Sequence, residues 1–259
     1  MPLSDYPESP IFTTCIMAGS THAARSSEIA PDRRRLDPER TRQAILDAAH
    51  EEFVEKGLDG ARVDAIAART QTVKRMIYYY FGSKEDLFLA VLERAYTDIR
   101  TAEAGLDLDR LPPVEAIRRM VEFTFDYHDA HPDFVRLVCI ENINYGRFLA
   151  GSSTIQGINV TVLDQLRRIL ERGQADGTFR GGLDPVDVHM MISALAFYRV
   201  SNRHTFGTLF GRDMAAPTVR KRHRVFAVEA VLRMIRRDDD EPQTTAPGPV
   251  SRVRSRQSR

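Results

Sequence analysis

The sequence predicts an all-α protein of about nine helices. Apolar residues recur at spacings of three and four along most of the chain, whereas the apolar–polar alternation typical of strands is almost absent. The 259 residues are 42% hydrophobic and 28% charged, which is ordinary for a soluble globular protein with a sizeable core. We therefore expect a helical protein, built in two unequal parts.

Both ends of the chain depart from this pattern. Residues 1–36 have no sustained apolar period and are rich in arginine near their end, so we predict a disordered basic arm. Met1 and Met17 are both candidate start sites. Residues 238–259 are acidic, then proline-rich, then basic, and we predict a disordered tail.

Charge and cysteine content limit the classes of partner. The formal net charge of +1 gives no general attraction to nucleic acid or membranes, so such binding requires local clusters of positive charge. No apolar run approaches the ~20 residues that cross a bilayer, and the first residues make a poor signal peptide. Cys15 and Cys139 imply neither a disulfide framework nor a metal site. We expect a cytoplasmic protein with no membrane partner, metal or cofactor.

Local start and stop signals define four helices in the first part. Asp37 is a candidate N-cap, Pro38 fits the first helical position, and Gly57 ends the apolar period that follows. Ser83, with Asp86 three residues later, has the arrangement of a capping box. These signals predict helices over 38–57, 63–69, 72–82 and 83–104.

A break at 106–113 separates these helices from five more. The predicted ranges are 114–128, 132–149, 155–174, 185–206 and 218–237. We divide the chain into a first domain, 37–83, and a second, 84–237, linked by the helix 84–104.

The stretch VKRMIYYYFGSKEDLF, residues 73–88, carries the chemistry of the first domain. On a helix, Val73, Ile77 and Phe81 share an apolar stripe that would pack on the core. The other side presents two cations and two phenols, namely Lys74, Arg75, Tyr78 and Tyr79. A short helix, a tight turn and this helix form a helix-turn-helix whose second helix can enter a DNA major groove. The alternative is a surface helix that is amphipathic but binds no DNA.

Lys84 supports the first interpretation. It follows Ser83 at the start of a helix, where the helix dipole disfavours a positive charge. A phosphate bound by the lysine and the free helix amides would recover that cost.

The segment VDAIAARTQTVKRMIYYYFGSKEDLFLAVLERAY resembles the DNA-binding region of the tetracycline-repressor (TetR) family of bacterial regulators, over residues 42–96. The resemblance implies base contacts by Lys74, Arg75 and Tyr78, and phosphate contacts by Thr72, Tyr79, Tyr80 and Lys84. The helical geometry places Tyr80 nearer the core, so both roles stay open. Gln71 stands at the usual turn glycine and demands an unusual turn conformation or a slightly different turn, and Arg62 stands at the usual cap threonine.

The second domain is expected to dimerise and to bind a small molecule. The helix 185–206 is apolar almost all round between Met190 and Tyr198, so it must be covered on every side. The helix 218–237 can cover one side and a two-fold-related copy of the protein the other, which predicts a homodimer. The resemblance implies the same helices, and a two-fold dimer requires a double-stranded, inverted-repeat operator. An internal helix of a monomer is the alternative. The resemblance also implies an effector pocket, for which the candidates are Phe134, Glu141, Asn142, Tyr145, His189, Ser193 and Phe197, although each could be structural.

Two other functions were weighed. His128, Asp129 and His131 suggest an all-helical metal-dependent hydrolase, but Pro132 breaks the helix there and such loops are usually solvated helix ends. A protein-binding adaptor could also use the tyrosine face. We expect no enzyme, but a ligand-responsive transcription regulator, most often a repressor in such families.

Overall fold

The computed structural model describes residues 37–237, and this region is all-α, as predicted. Five of the helices begin with proline at their first position, which fits the free amides of a first turn. The ten α-helices are α1 (Pro38–Gly60), α2 (Val63–Arg69), α3 (Lys74–Phe81), α4 (Lys84–Ala104), α5 (Pro113–Ala130), α6 (Pro132–Ile143), α7 (Ser153–Ala175), α8 (Pro185–Ser201), α9 (Arg203–Phe210) and α10 (Pro217–Ile235). None of these helices combines the length and apolarity that a membrane span requires. The predicted arm, 1–36, and tail, 238–259, lie outside the described residues.

Helices α1–α4 share one core. Asp37 caps α1 by accepting a hydrogen bond from the Glu39 amide, and Gly57 leaves helical geometry at φ 71° before a last turn. The Ser83 hydroxyl accepts from the Asp86 amide at 2.9 Å, as the capping-box pattern predicts. Inside, the ring of Phe53 meets that of Phe88 edge-on at 5.2 Å. This core therefore joins the start of α4 to the helices before it.

The second core lies between α5, α7, α8 and α10. Its fully buried side chains include Ile117, Met120, Leu166, Ile192 and Ile235. The loop after α7 holds the end of α10, because Arg180 donates from Nε to the Met234 carbonyl at 2.8 Å and from its amide to the Ile235 carbonyl at 3.0 Å. The last helix is thus fixed at its C-terminus.

Two predicted helices end earlier than expected. The range 132–149 ends at Ile143, because Tyr145 and Gly146 both have positive φ, 61° and 70°. The range 185–206 breaks at Asn202, so α8 is followed by a separate α9. This break gives ten α-helices between residues 37 and 237, compared with the predicted total of about nine.

Gly173 provides a test of the packing between α7 and the loop that follows it. A Cβ at this position would lie 2.0 Å from Cδ2 of Phe179, whose ring is 2% exposed. We expect Gly173→Ala to lower the free energy of unfolding by ~1–3 kcal/mol, measured by urea denaturation. The matched control is Gly157→Ala in the same helix, where nothing lies within 4 Å and a gain of up to ~1 kcal/mol is expected. Equal stability of the two variants would contradict this packing.

Candidate nucleic-acid interface and effector cavity

The helix-turn-helix is held together by an acidic side chain of α1. Arg62 precedes α2 and supplies no capping side chain within the described region, but its amide donates to Glu52 Oε1 at 3.2 Å. Glu52 is 3% exposed and also lies 3.3 Å from the Arg69 guanidinium at the other end of α2. Gln71 takes φ 52° in the turn, which confirms the unusual conformation predicted for a residue at this position. Glu52 therefore holds both ends of α2 against α1.

Helix α3 has the two predicted faces. Ile77 is 1% exposed and Phe81 is also buried, whereas Tyr78 and Tyr79 are 41% and 77% exposed, and both cations are on the surface. One member of the predicted apolar stripe is misplaced, because Val73 is 63% exposed. It precedes the helix with extended backbone angles, so helical spacing does not apply to it.

The seven predicted DNA contacts differ in how free they are. Lys74 Nζ lies 3.3 Å from an Asp64 carboxylate oxygen, and Lys84 Nζ donates to the Ala61 carbonyl at 3.2 Å. Thr72 is half-buried, and Tyr80 is half-buried with its ring edge-on to Tyr79 at 5.3 Å. The exposed members are Lys74, Arg75, Tyr78 and Tyr79, and of the two cations among them Arg75 forms no ion pair with any residue from 37 to 237.

A cavity of about 330 Å³ lies in the second domain, between α4, α5, α6, α7 and α8. Four of the seven predicted effector residues line it: Phe134, His189, Ser193 and Phe197. The sequence reasoning missed further polar lining residues, of which Tyr96, Arg100, Thr124, His128 and Asn159 are the main ones. The sequence does hold one signal for them. The buried face of α4 continues at helical spacing as far as Glu103, and a charged residue on a buried face indicates polar groups inside the second half of the chain.

The other three predicted effector residues lie outside this cavity. Glu141 is 2% exposed and its Oε1 accepts from the amides of Phe148 and Leu149, both at 2.9 Å, so it caps the turn after α6. Asn142 is exposed and donates back to the Val138 carbonyl of its own helix. Tyr145 is 97% exposed in the left-handed region. Only Tyr145 of the three lies beyond the early end of α6, whereas Glu141 and Asn142 belong to its last turn.

Arg100 sets the electrostatics of the cavity. Its guanidinium donates through Nη1 to Glu103 and through Nε to Asn159 Oδ1 at 3.2 Å. Burial, together with Arg100, lowers the pKa of both His128 and His189 to about 4. Both imidazoles are therefore neutral at pH 7, and the Nδ1 atom of each is buried without a hydrogen-bond partner in the described region.

The residues of the hydrolase hypothesis do not converge. His128 lies in the cavity wall, while the Asp129 carboxylate is bound by Arg199 and by Arg220. His131 is exposed at the helix end, with Nδ1 2.9 Å from the Tyr127 carbonyl. Between residues 37 and 237 there is no group of three or more His, Cys, Asp or Glu side chains that could hold a metal. The hydrolase alternative is not supported.

An apolar surface extends over α8, α9 and α10. Met191 and Tyr198 of α8, Phe210 of α9 and Phe226 of α10 are all between 37% and 68% exposed. Between α8 and α10 runs an apolar groove of about 420 Å³, with Leu195, Tyr198, Phe206, Met214 and His223 in its walls. The ring of Phe206 packs between two others, with its centroid 5.6 Å from that of Tyr198 and 5.1 Å from that of Phe210. We call this region the α8–α10 face. Adjoining exposed apolar residues of this kind are typical of a protein interaction surface.

The helix-turn-helix, the cationic face of α3 and a cavity in a separate helical core define the class as a DNA-binding regulator with a ligand site. Residues 45–91 match the family model for bacterial regulatory proteins of the tetR family, and residues 113–231 match the tetracyclin repressor-like C-terminal domain. The chain belongs to the TetR family and is a ligand-responsive DNA-binding transcriptional regulator, which confirms the resemblance.

Individual relatives agree. The transcriptional repressor NicS of Pseudomonas putida is 38% identical over 199 residues, which is 77% of this chain and 94% of NicS. The repressor SCO4008 of Streptomyces coelicolor is 40% identical over 110 residues, covering 42% of this chain and 54% of that protein. The crystal structure of the regulator SCO4942, also from Streptomyces coelicolor, has a TM-score of 0.57 at 31% identity, covering 75% of this chain and 98% of that one.

Proposed function

We propose that the protein is a homodimeric repressor that acts in the bacterial cytoplasm. It binds an inverted-repeat operator through α3 and leaves it when a small molecule fills the cavity. The observation that supports this most directly is the division of α3 into a buried apolar side and an exposed side with cations and phenols. The family and its repressor relatives support the same function.

Each exposed residue of α3 has a role that its chemistry suits. Arg75, which is free of ion pairs among residues 37–237, can donate two hydrogen bonds to a guanine edge. Tyr78 can contact a thymine methyl or a base edge beside it, and Tyr79 can donate its hydroxyl to a phosphate. Lys74 contacts a base edge once its ion pair with Asp64 is broken, and Lys84 binds a phosphate at the start of α4. Thr72 and Tyr80, both half-buried, would supply further phosphate contacts.

Two helices connect the cavity to the DNA-binding part. Helix α4 begins at Lys84 and supplies Tyr96 and Arg100 to the cavity. Helix α6 supplies Phe134 to the cavity, while Leu137 on the same helix is buried in the core of α1–α4. A ligand that displaces either helix changes the position of α3 in both protomers. Release then requires that the ligand bind better to the arrangement with mismatched recognition helices, with a coupling of typically ~1–3 kcal/mol.

The experiment is a selection of binding sites from random duplex DNA, followed by gel shifts with Arg75→Ala and Lys84→Ala. Losing a base contact at Arg75 is expected to cost ~1–3 kcal/mol and to relax specificity at one position of each half-site. Losing a phosphate contact at Lys84 is expected to weaken all duplexes alike and to lower the salt dependence by about one unit.

Arg110→Ala is the control, because Arg110 is 84% exposed in the second domain and should not affect binding. Selected sites should be inverted repeats with half-sites about 34–36 Å apart or a related spacing. Unchanged affinity and specificity in both test variants would reject α3 as the reading helix. Binding insensitive to salt would favour the adaptor alternative.

A further inference from the structure

The cavity contains a single fixed positive charge. Among the described residues that line it, Arg100 is the only one with a formal charge, and no carboxylate contributes to the walls. Glu103, which pairs with Arg100, lies beyond the cavity and is itself buried. Within the described lining, the cavity wall therefore presents a guanidinium and no carboxylate to a ligand.

One edge of this guanidinium remains available. Nη1 is taken by Glu103 and Nε by Asn159, whose own Nδ2 is fixed by the Ile155 carbonyl at 3.0 Å. Nη2 has no hydrogen-bond partner among residues 37–237. Guanidinium N–H groups form their strongest hydrogen bonds with carboxylates and phosphates. Arg100 is thus held in place by two bonds while it keeps donor capacity for an anion.

The two imidazoles do not add charge. The positive charge of Arg100 contributes to the low pKa of both His128 and His189, so its field reaches both rings. A neutral imidazole can donate or accept one hydrogen bond at each nitrogen. The cavity therefore combines one cation with neutral polar groups, which suits a monoanion better than a phosphate ester with two charges.

The remaining walls combine three aromatic rings with five aliphatic side chains around a small volume. His128 stacks on Phe134 at 5.6 Å with an angle of 30° between the rings, and it meets Phe197 edge-on at 6.0 Å. Tyr96 meets Phe134 edge-on at 5.4 Å. Aromatic rings prefer stacked and edge-on partners, and ~300 Å³ is the lower end of the range for ligand pockets. A small planar body fits these walls.

We propose that the effector is a small aromatic carboxylate whose carboxylate is bound by Arg100. This inference rests on the proposed effector role of the cavity and names the chemistry of its ligand. The aromatic body lies among Phe134, Phe197 and Tyr96, and Ser193 is a further hydroxyl in the wall. Because Arg100 belongs to α4, carboxylate binding acts on the helix that begins at Lys84.

The test uses the purified full-length protein with benzoate and 2-naphthoate as anionic probes and benzamide as the neutral probe. Binding is measured by calorimetry and by the rise in melting temperature, to millimolar probe concentration. We expect at least one carboxylate to bind at least about tenfold more tightly than benzamide. Arg100→Met should remove this preference, whereas Arg167→Met, an exposed arginine of α7, should keep it.

Removing Arg100 leaves Glu103 buried without a partner, so the double variant Arg100→Met/Glu103→Gln is tested in parallel. Equal binding of benzamide and the carboxylates, carboxylate binding unaffected in a folded Arg100 variant, or no binding of either carboxylate would overturn the proposal. Operator binding by the wild-type protein is measured separately. Carboxylate binding that leaves the operator complex intact supports the ligand class and counts against the proposed release mechanism, so the two failures are distinguishable.

Discussion

Phe226→Asp is expected to dissociate the homodimer and to weaken operator binding by more than about a hundredfold. Phe226 is 53% exposed on α10. Its ring stacks on that of His223, with the ring centroids 6.4 Å apart, and His223 lines the apolar groove beside α8. In the proposed dimer, an aromatic side chain of this size enters the groove of the second protomer. An aspartate there would bury an unpaired charge, while the isolated protomer loses little because the ring is half in solvent.

The loss of dimer weakens DNA binding more than the loss of any single contact. Two linked recognition helices gain affinity because the second half-site is bound at high effective concentration. The mass in solution is measured by sedimentation, and operator affinity by gel shift at fixed salt. Val160→Asp is the matched control, since Val160 is an apolar residue that is 56% exposed on α7, outside the α8–α10 face. A Phe226→Asp protein that sediments as the wild type does would exclude this face as the dimer interface.

The DNA-binding part could be predicted from sequence because its signals are local. The cap at Asp37, the break at Gly57 and the capping pattern at Ser83 each depend on residues within one turn of the helix end. Gln71 is an example, because the resemblance places it at the usual turn glycine and so implies an unusual or altered turn, and the residue adopts φ 52°. The prediction that Val73 is buried was wrong because it depends on helical spacing. Val73 lies one residue before α3 begins, where that spacing does not hold.

The effector cavity depends on contacts between distant segments, and local signals were insufficient there. Glu141 is a polar residue in an apolar helix, which is typical of a ligand contact and of a buried cap alike. Only the backbone path of Phe148 and Leu149 distinguishes the two. His128 was singled out for its neighbours in sequence, Asp129 and His131. In the fold it faces α6 and α8 instead, against Phe134 and Phe197.

Acidification from pH ~6.5 to ~4 is expected to destabilise the protein, by up to about 3 kcal/mol for each of His128 and His189, at ~1.4 kcal/mol per pKa unit. Their pKa values fall from 6.5 in the unfolded chain to about 4 in the fold. The unfolded state therefore binds more protons between these limits. The free energy of unfolding is therefore unaffected by these two groups above pH 6.5, and it decreases as the pH falls from there to about 4. The two contributions are coupled, because a charge on His189 also lowers the pKa of His128.

Other groups titrate in the same window, so variants must isolate the two imidazoles. Burial also lowers the pKa of His50 and His223, with the same sign, while burial raises the pKa of Glu103, which has the opposite sign. Urea unfolding is measured across the window for the wild type, for His128→Phe/His189→Gln and for His50→Gln. The double variant should lose several kcal/mol less than the wild type on acidification, whereas His50→Gln should follow the wild type closely because His50 is only half-buried. If the double variant and the wild type lose the same free energy, His128 and His189 do not have lowered pKa values in the folded protein, which contradicts their burial in the cavity wall.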